Sequence, residues 1–185
     1  MGAWRLLEVG GQLDLVHEGA AGRFVRSSLE LVDAGVPLHG VAGDLATAAS
    51  RLGKVAARHS MTFIGELVCE AMPETVCRAW TTADGCAFFI AYRQRPFARF
   101  PVYDVVARHA DGAQVTVSTE IGLSQPARGI EWVWVEVTDP NALLAKAAAE
   151  FAERQGRGRP RVAVDGTLEG LARIIDASLE RQGFV

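Results

Sequence analysis

An α+β fold, a curved antiparallel meander of about six or more strands packed against three helices, is what the sequence predicts. Three observations carry it. Between Thr62 and Thr138, short segments rich in β-branched and aromatic residues follow one another with turn-forming residues between them. Two of the joints are the same tripeptide, Ala-Asp-Gly, at 83–85 and 110–112. The series then runs directly into Asp139-Pro140, an N-cap followed by a proline at the first helical position.

Taken in order, Trp4 to Val9, Gln12 to His17 and Arg23 to Val32 read as short strands, with Gly10-Gly11 and Gly19 to Gly22 as their turns. Gly35 and Pro37 break that pattern, and Asp44 caps a helix running to Arg58 with Leu45, Ala48, Leu52, Val55 and Ala56 in one stripe. The meander comprises Thr62 to Ala71, Thr75 to Thr82, Cys86 to Arg93, Val102 to Arg108, Gln114 to Ile121 and Ile130 to Thr138. Residues 73–80 also fit two helical turns opening at Pro73; the strand is the reading taken. The helix from Pro140 ends at Gly156, with Leu144, Ala148 and Phe151 inward. Arg161 to Val164 reads as a short strand. Asp165 or Thr167 then caps a last helix with Leu168, Leu171, Ile175 and Leu179 in its stripe and Gly183 at its end. No linker or low-complexity segment divides the 185 residues, so one domain is expected.

The 49% hydrophobic and 22% charged content is that of a globular protein. No apolar run approaches the roughly 18 residues of a membrane span, and the start lacks a signal-peptide stretch, so a cytoplasmic location without membrane partners is expected. Only two of the 19 basic residues, Lys54 and Lys146, are lysines, which with the Ala and Gly content points to a GC-rich, bacterial genome. A net charge of -3 offers no global attraction for nucleic acid.

The strand faces say more. Gln114, Thr116, Ser118 and Glu120 alternate with Val115, Val117 and Ile121, so that strand is expected near a sheet edge with one face toward water. Ile130, Trp132 and Trp134 alternate with Val133, Val135 and Val137, and Phe88 and Ile90 with Ala87, Phe89 and Ala91, so these strands want cover on both faces. With helices on one face, the other, carrying Trp132, Trp134 and Trp80, needs the N-terminal hairpin, a half-barrel curl or another molecule. The hairpin is the first choice, because large apolar patches are rare on monomers.

Candidate chemistry is sparse. A three-residue connection at 72–74 would set Cys69 opposite Cys77, near enough for a disulfide or a soft-metal site, but two buried thiols are the simpler reading and no further ligand spacing supports a metal. The histidines, at 17, 39, 59 and 109, form no metal or catalytic pair, and His59 reads as a helix-dipole partner. Glu66 and Glu70 read as solvated charges. No phosphate loop or nucleophile elbow is present, so neither catalytic residues nor a cofactor are assigned.

Two arginine clusters remain, Arg93, Arg95 and Arg99, and Arg154, Arg157, Arg159 and Arg161. In the second, Arg-Gly-Arg-Pro resembles the core of an AT-hook, which implies minor-groove contact, but it joins a helix to a strand in an acidic chain. Arg93, Arg95, Arg99, Arg157 and Arg159 are the candidate anion-binding residues, since guanidinium forks suit phosphate or carboxylate. Trp132, Trp134 and Trp80 are the candidate partner-binding residues. The expectation that follows is a non-catalytic protein-binding domain of chaperone, adaptor or immunity type, with a protein partner or a second copy. A small-molecule or anion site between sheet and helices is the alternative, and nucleic-acid binding ranks last.

Overall fold

The computed structural model describes residues 4–9, 12–19, 22–27, 51–69, 72–92, 102–119 and 129–181. Nine strands form one open sheet in chain order: β1 (Trp4–Val9), β2 (Gln12–Gly19), β3 (Gly22–Ser27), β4 (Met61–Cys69), β5 (Met72–Thr82), β6 (Ala87–Tyr92), β7 (Val102–Arg108), β8 (Gln114–Ser118) and β9 (Ile130–Trp134). Three helices are described: α1 (51–58), α2 (Pro140–Gly156) and α3 (Leu168–Arg181). The α+β arrangement read from the sequence is therefore present. The expected start of α1 at Asp44, with Leu45 and Ala48, lies outside the described residues, as do Gly35, Pro37 and Gly183.

Seven of the eight strand pairings are antiparallel, and the last, β8 with β9, is parallel. This departs from a pure meander. Gln114 pairs with Ile130 and Ser118 with Trp134, so the chain returns to the start of β8 before β9 begins. Residues 73–80 lie within β5, which settles the strand reading. Both Ala-Asp-Gly joints use one design. Gly85 N donates to Thr82 O and Gly112 N to His109 O, both at 2.9 Å, while Asp84 Oδ1 and Asp111 Oδ1 accept from Cys86 N and Ala113 N.

The register divides the side chains into two faces. Trp80, Phe89, Val105 and Val117 share one row and face α1 and α2, whose Leu52, Val55, Ala56, Leu143, Leu144, Ala147 and Phe151 complete that core. Phe88, Ile90, Val106, Leu67 and Ala79 line the opposite face and pack on Leu168, Leu171, Ala172 and Ile174 of α3. Helices cover both faces. The hairpin expected to seal the second face instead extends the sheet, with β3 paired to β4. Ala148, expected inward on α2, is exposed, because Leu143, Leu144 and Ala147 already define the buried side.

The caps behave as their residue types dictate. Asp139 accepts from Asn141 N to open α2 with Pro140 following, and Thr167 Oγ1 accepts from Gly170 N at 3.2 Å to open α3. Arg161–Val164 contributes only a single bridge, Arg161 with His109, rather than a strand. His59 Nε2 lies 2.9 Å from Asn141 Oδ1 and ties the end of α1 to the start of α2.

Two glycines are dictated by close approach. Gly65 follows a bulge in β4, has φ +132°, and a Cβ there would lie 2.5 Å from Leu168 Cδ1. A Cβ on Gly170 would lie 1.7 Å from Asp165 O, so the chain entering α3 folds back across a bare Cα. Gly65→Ala is expected to lower stability by about 2 to 4 kcal/mol, through both the positive φ and the displaced Leu168, as read from the midpoint of denaturant unfolding.

Candidate functional site

The strand expected to face water does not. Gln114, Thr116 and Ser118 of β8 are buried, Thr116 at 2% and Ser118 at 0% exposure, because β9 rather than β8 is the last of the described strands in the sheet. With Asp104 of β7 and Tyr92 of β6, they make a buried polar strip on the same sheet face as α3. Asp104 pairs with Ser118, Ser118 with Trp134, and Thr116 with Trp132. Tyr92 OH donates to Asp104 Oδ2 at 3.0 Å.

Beside this strip, Trp132 and Trp134 stack with ring centroids 5.0 Å apart and planes within 7°. Their i, i+2 spacing on β9 puts both indoles on one face. Trp134 is 37% exposed, while Trp132 is half-buried. Trp132 Nε1 and Thr116 Oγ1 are both buried and find no hydrogen-bond partner among the described residues. Buried polar atoms are nearly always satisfied in folded proteins, so this pair of neighbouring positions is set up to take a hydrogen bond.

Trp80 does not belong with them. It lies on the other face, 3% exposed, between Phe63 and Phe89 at 5.5 and 5.2 Å, and is a core residue. The sequence offered no means of separating it from the other two, since the register that runs from Trp80 through Phe89, Val105 and Val117 to Val133 is not legible there.

The second arginine cluster is engaged with carboxylates. Arg159 Nε donates to Asp111 Oδ2 at 2.6 Å and its NH2 to Glu131 Oε1 at 2.5 Å. Arg154 bonds both Glu131 and Glu150, Arg157 bonds Glu153 one helical turn back, and Arg161 approaches Asp84 at 3.4 Å. The Arg159 and Arg154 guanidiniums hold the Glu131 carboxyl below its usual range, while Ala113 N–H, then Arg159, do the same for Asp111. Arg93, Arg95 and Arg99 lie outside the described residues.

Two further expectations are corrected. Leu67, not Cys69, faces Cys77, and Cys69 pairs with Met72, because the chain turns earlier than 72–74 and the register shifts after Val68. No group of three or more metal-ligating side chains exists among the described residues. Glu66 is not a solvated charge but a buried partner of Arg78 directly across the strand pair, with Arg78 Nε 2.7 Å from Oε1.

His109 was not singled out by its sequence context. It is fully buried against Phe151, and its Nδ1–H donates to Arg159 O at 2.7 Å, which fixes the loop that bears Arg159. No helix among the described residues is long and apolar enough to cross a membrane. No protein family, curated protein or solved structure matches this chain.

Since both carboxyl pKa values are lowered in the folded protein, Glu131 and Asp111 contribute stability above their unfolded pKa of about 4 that is lost as pH falls through the folded values. Glu131→Gln is expected to flatten the decline of melting temperature with acid below about pH 4.5, while leaving the neutral-pH dependence unchanged.

Proposed function

We propose that this chain is a protein-binding domain whose docking element is the open margin of β9, anchored by the stacked indoles of Trp132 and Trp134. The observation that carries the reading is the position of this pair on the last strand of the sheet. Gln114 N bonds Gly129 O and Val135 N bonds Ser118 O, so the odd-numbered residues of β9 are spent on β8. The N–H and C=O groups of Trp132 and Trp134 consequently point away from the sheet, where no described strand pairs with them. An extended segment added there would satisfy these groups, and the exposed indole supplies the apolar anchor typical of binding hot spots.

A small-molecule site in the polar strip is the second reading. It is favoured by one observation, the paired positions Thr116 and Trp132, whose Oγ1 and Nε1 find no partner among the described residues. Anion binding by Arg159 has less support, because its guanidinium already holds two carboxylates, and nucleic-acid binding has less still. A cytoplasmic location accords with the binding-domain reading.

Trp134→Ala tests it. The variant is expected to keep its melting temperature within a few degrees, since a partly exposed margin residue contributes under about 1.5 kcal/mol, and to lose at least about tenfold in affinity for the protein retained by the wild type in affinity capture. Global unfolding by Trp134→Ala, or capture that is unchanged, would count against the reading.

A further inference from the structure

Between α2 and α3 the chain crosses from one sheet face to the other with little apolar anchoring. Residues 157–163 are exposed or half-buried, and none lies in the core on either face. Val164, at the far end, is the first to touch a core cluster. The helices on each side are different, since α2 buries Leu143, Leu144, Ala147 and Phe151, and α3 buries Leu168, Leu171, Ala172 and Ile174. Polar contacts therefore hold this crossing in place, and a segment with so little buried apolar surface is where a fold opens first.

Those contacts converge on Arg159. Its guanidinium donates to Asp111 Oδ2 in the β7–β8 turn at 2.6 Å and to Glu131 Oε1 of β9 at 2.5 Å. Its carbonyl accepts from His109 Nδ1–H at 2.7 Å. To either side, Ala110 N donates to Pro160 O at 3.0 Å and Val162 N to Arg108 O at 2.9 Å. The surrounding charges are paired as well: Arg154 of α2 bonds Glu131 and Glu150, Arg157 bonds Glu153, and Arg161 reaches Asp84. The Arg161 guanidinium also lies over the Phe151 ring, 5.5 Å from its centroid, and His109 packs on the same ring.

We infer that residues 157–162 form an acid-released latch, held shut by the Arg159 clamp on Asp111 and Glu131 and able to lift off the hairpin ends while the sheet and both helix layers stay folded. Protonating the two carboxylates removes both ion pairs of Arg159. The His109 Nδ1–H donates in either charge state of the ring, so the carboxylates are the acid-sensitive half of the hold. Arg159 and Arg154 lower the Glu131 carboxyl, and Ala113 N–H, then Arg159, lower that of Asp111. Their contribution to closure is thus complete above the open-state value of about 4 and is lost as pH falls through the lower closed-state values. Acid neutralises Glu150, Glu153 and Asp84 too, which leaves four arginines between 154 and 161 to repel one another. Lifting the latch uncovers Phe151 and His109, 5% and 1% exposed when it is shut.

This device does not depend on the outer side of β9. Residue-resolved amide hydrogen exchange of the full chain, from about pH 7 to about pH 3.5, tests it, with protection expressed against an unstructured amide at the same pH. The amides of Ala110 and Val162 are expected to lose about tenfold or more of their protection in acid, while those of Val105 and Val106 in β7, a strand paired on both sides, keep theirs. With Asp111→Asn and Glu131→Gln together, Ala110 and Val162 are expected to exchange at neutral pH as they do in the acid-treated wild type, with no further loss in acid. Protection of β7 in that variant shows that it is folded, and the wild-type series carries the test without it. Loss at Ala110 and Val162 only in step with β7 would overturn the latch, because the crossing would then open only with the whole fold. Unchanged protection of the two amides in the wild type in acid, or in the folded double variant at neutral pH, would overturn it as well.

Discussion

The rest of the architecture follows from one constraint: β6, β7 and β8 are buried on both faces. Phe88 and Ile90 look one way and Phe89 and Ala91 the other, all with almost no exposure, and Val105 and Val106 repeat the arrangement on the next strand. A sheet with two buried faces needs helices on both, so the chain must carry α2 along one face and then pass round the sheet to lay α3 on the other. The arginine-rich stretch from Arg157 to Val164 performs that passage across the ends of the hairpins. Ala110 N donates to Pro160 O, Val162 N to Arg108 O and Val164 N to Gly85 O. The His109 imidazole and the Arg159 clamp on Asp111 and Glu131 secure the same strap. Residues that look like a nucleic-acid motif in isolation are the fastening between two layers of the fold.

Local signals made most of the elements legible. The Asp139-Pro140 start of α2, the two Ala-Asp-Gly turns and the stripe through Leu52, Val55 and Ala56 depend only on neighbouring residues, and each is found where the residue types require. What could not be read was the order of long-range partners. Thr116 and Ser118 alternate with valines as a water-facing strand would. Burial beside β9 overrides that pattern, and the only hint was Asp104 in the apolar strand directly across from Ser118. Glu66 gave no sign of its pairing with Arg78, because the two are joined only through the β4–β5 register.

The candidate site was partly legible for the same reason. The alternation of Ile130, Trp132 and Trp134 with Val133 and Val135 marks a strand that must be covered on both sides, and its valines do pack against the core under α1 and α2. That Trp80 belongs to this valine side, and not with the other tryptophans, depends on the register that links Trp80 through Phe89, Val105 and Val117 to Val133, which no composition reveals. The parallel attachment of β9 was likewise invisible, yet it decides which of the strand's backbone groups face away from β8.

That margin is the centre of the functional account, and residue-resolved amide hydrogen exchange across β9 tests it most directly. In dilute protein, the amides of Glu131, Val133 and Val135, bonded to β8, should exchange slowly, while those of Trp132 and Trp134 exchange rapidly. Uniform protection of all five amides in dilute protein would mean that the outer side of β9 is already closed within the chain, and would contradict a docking margin there.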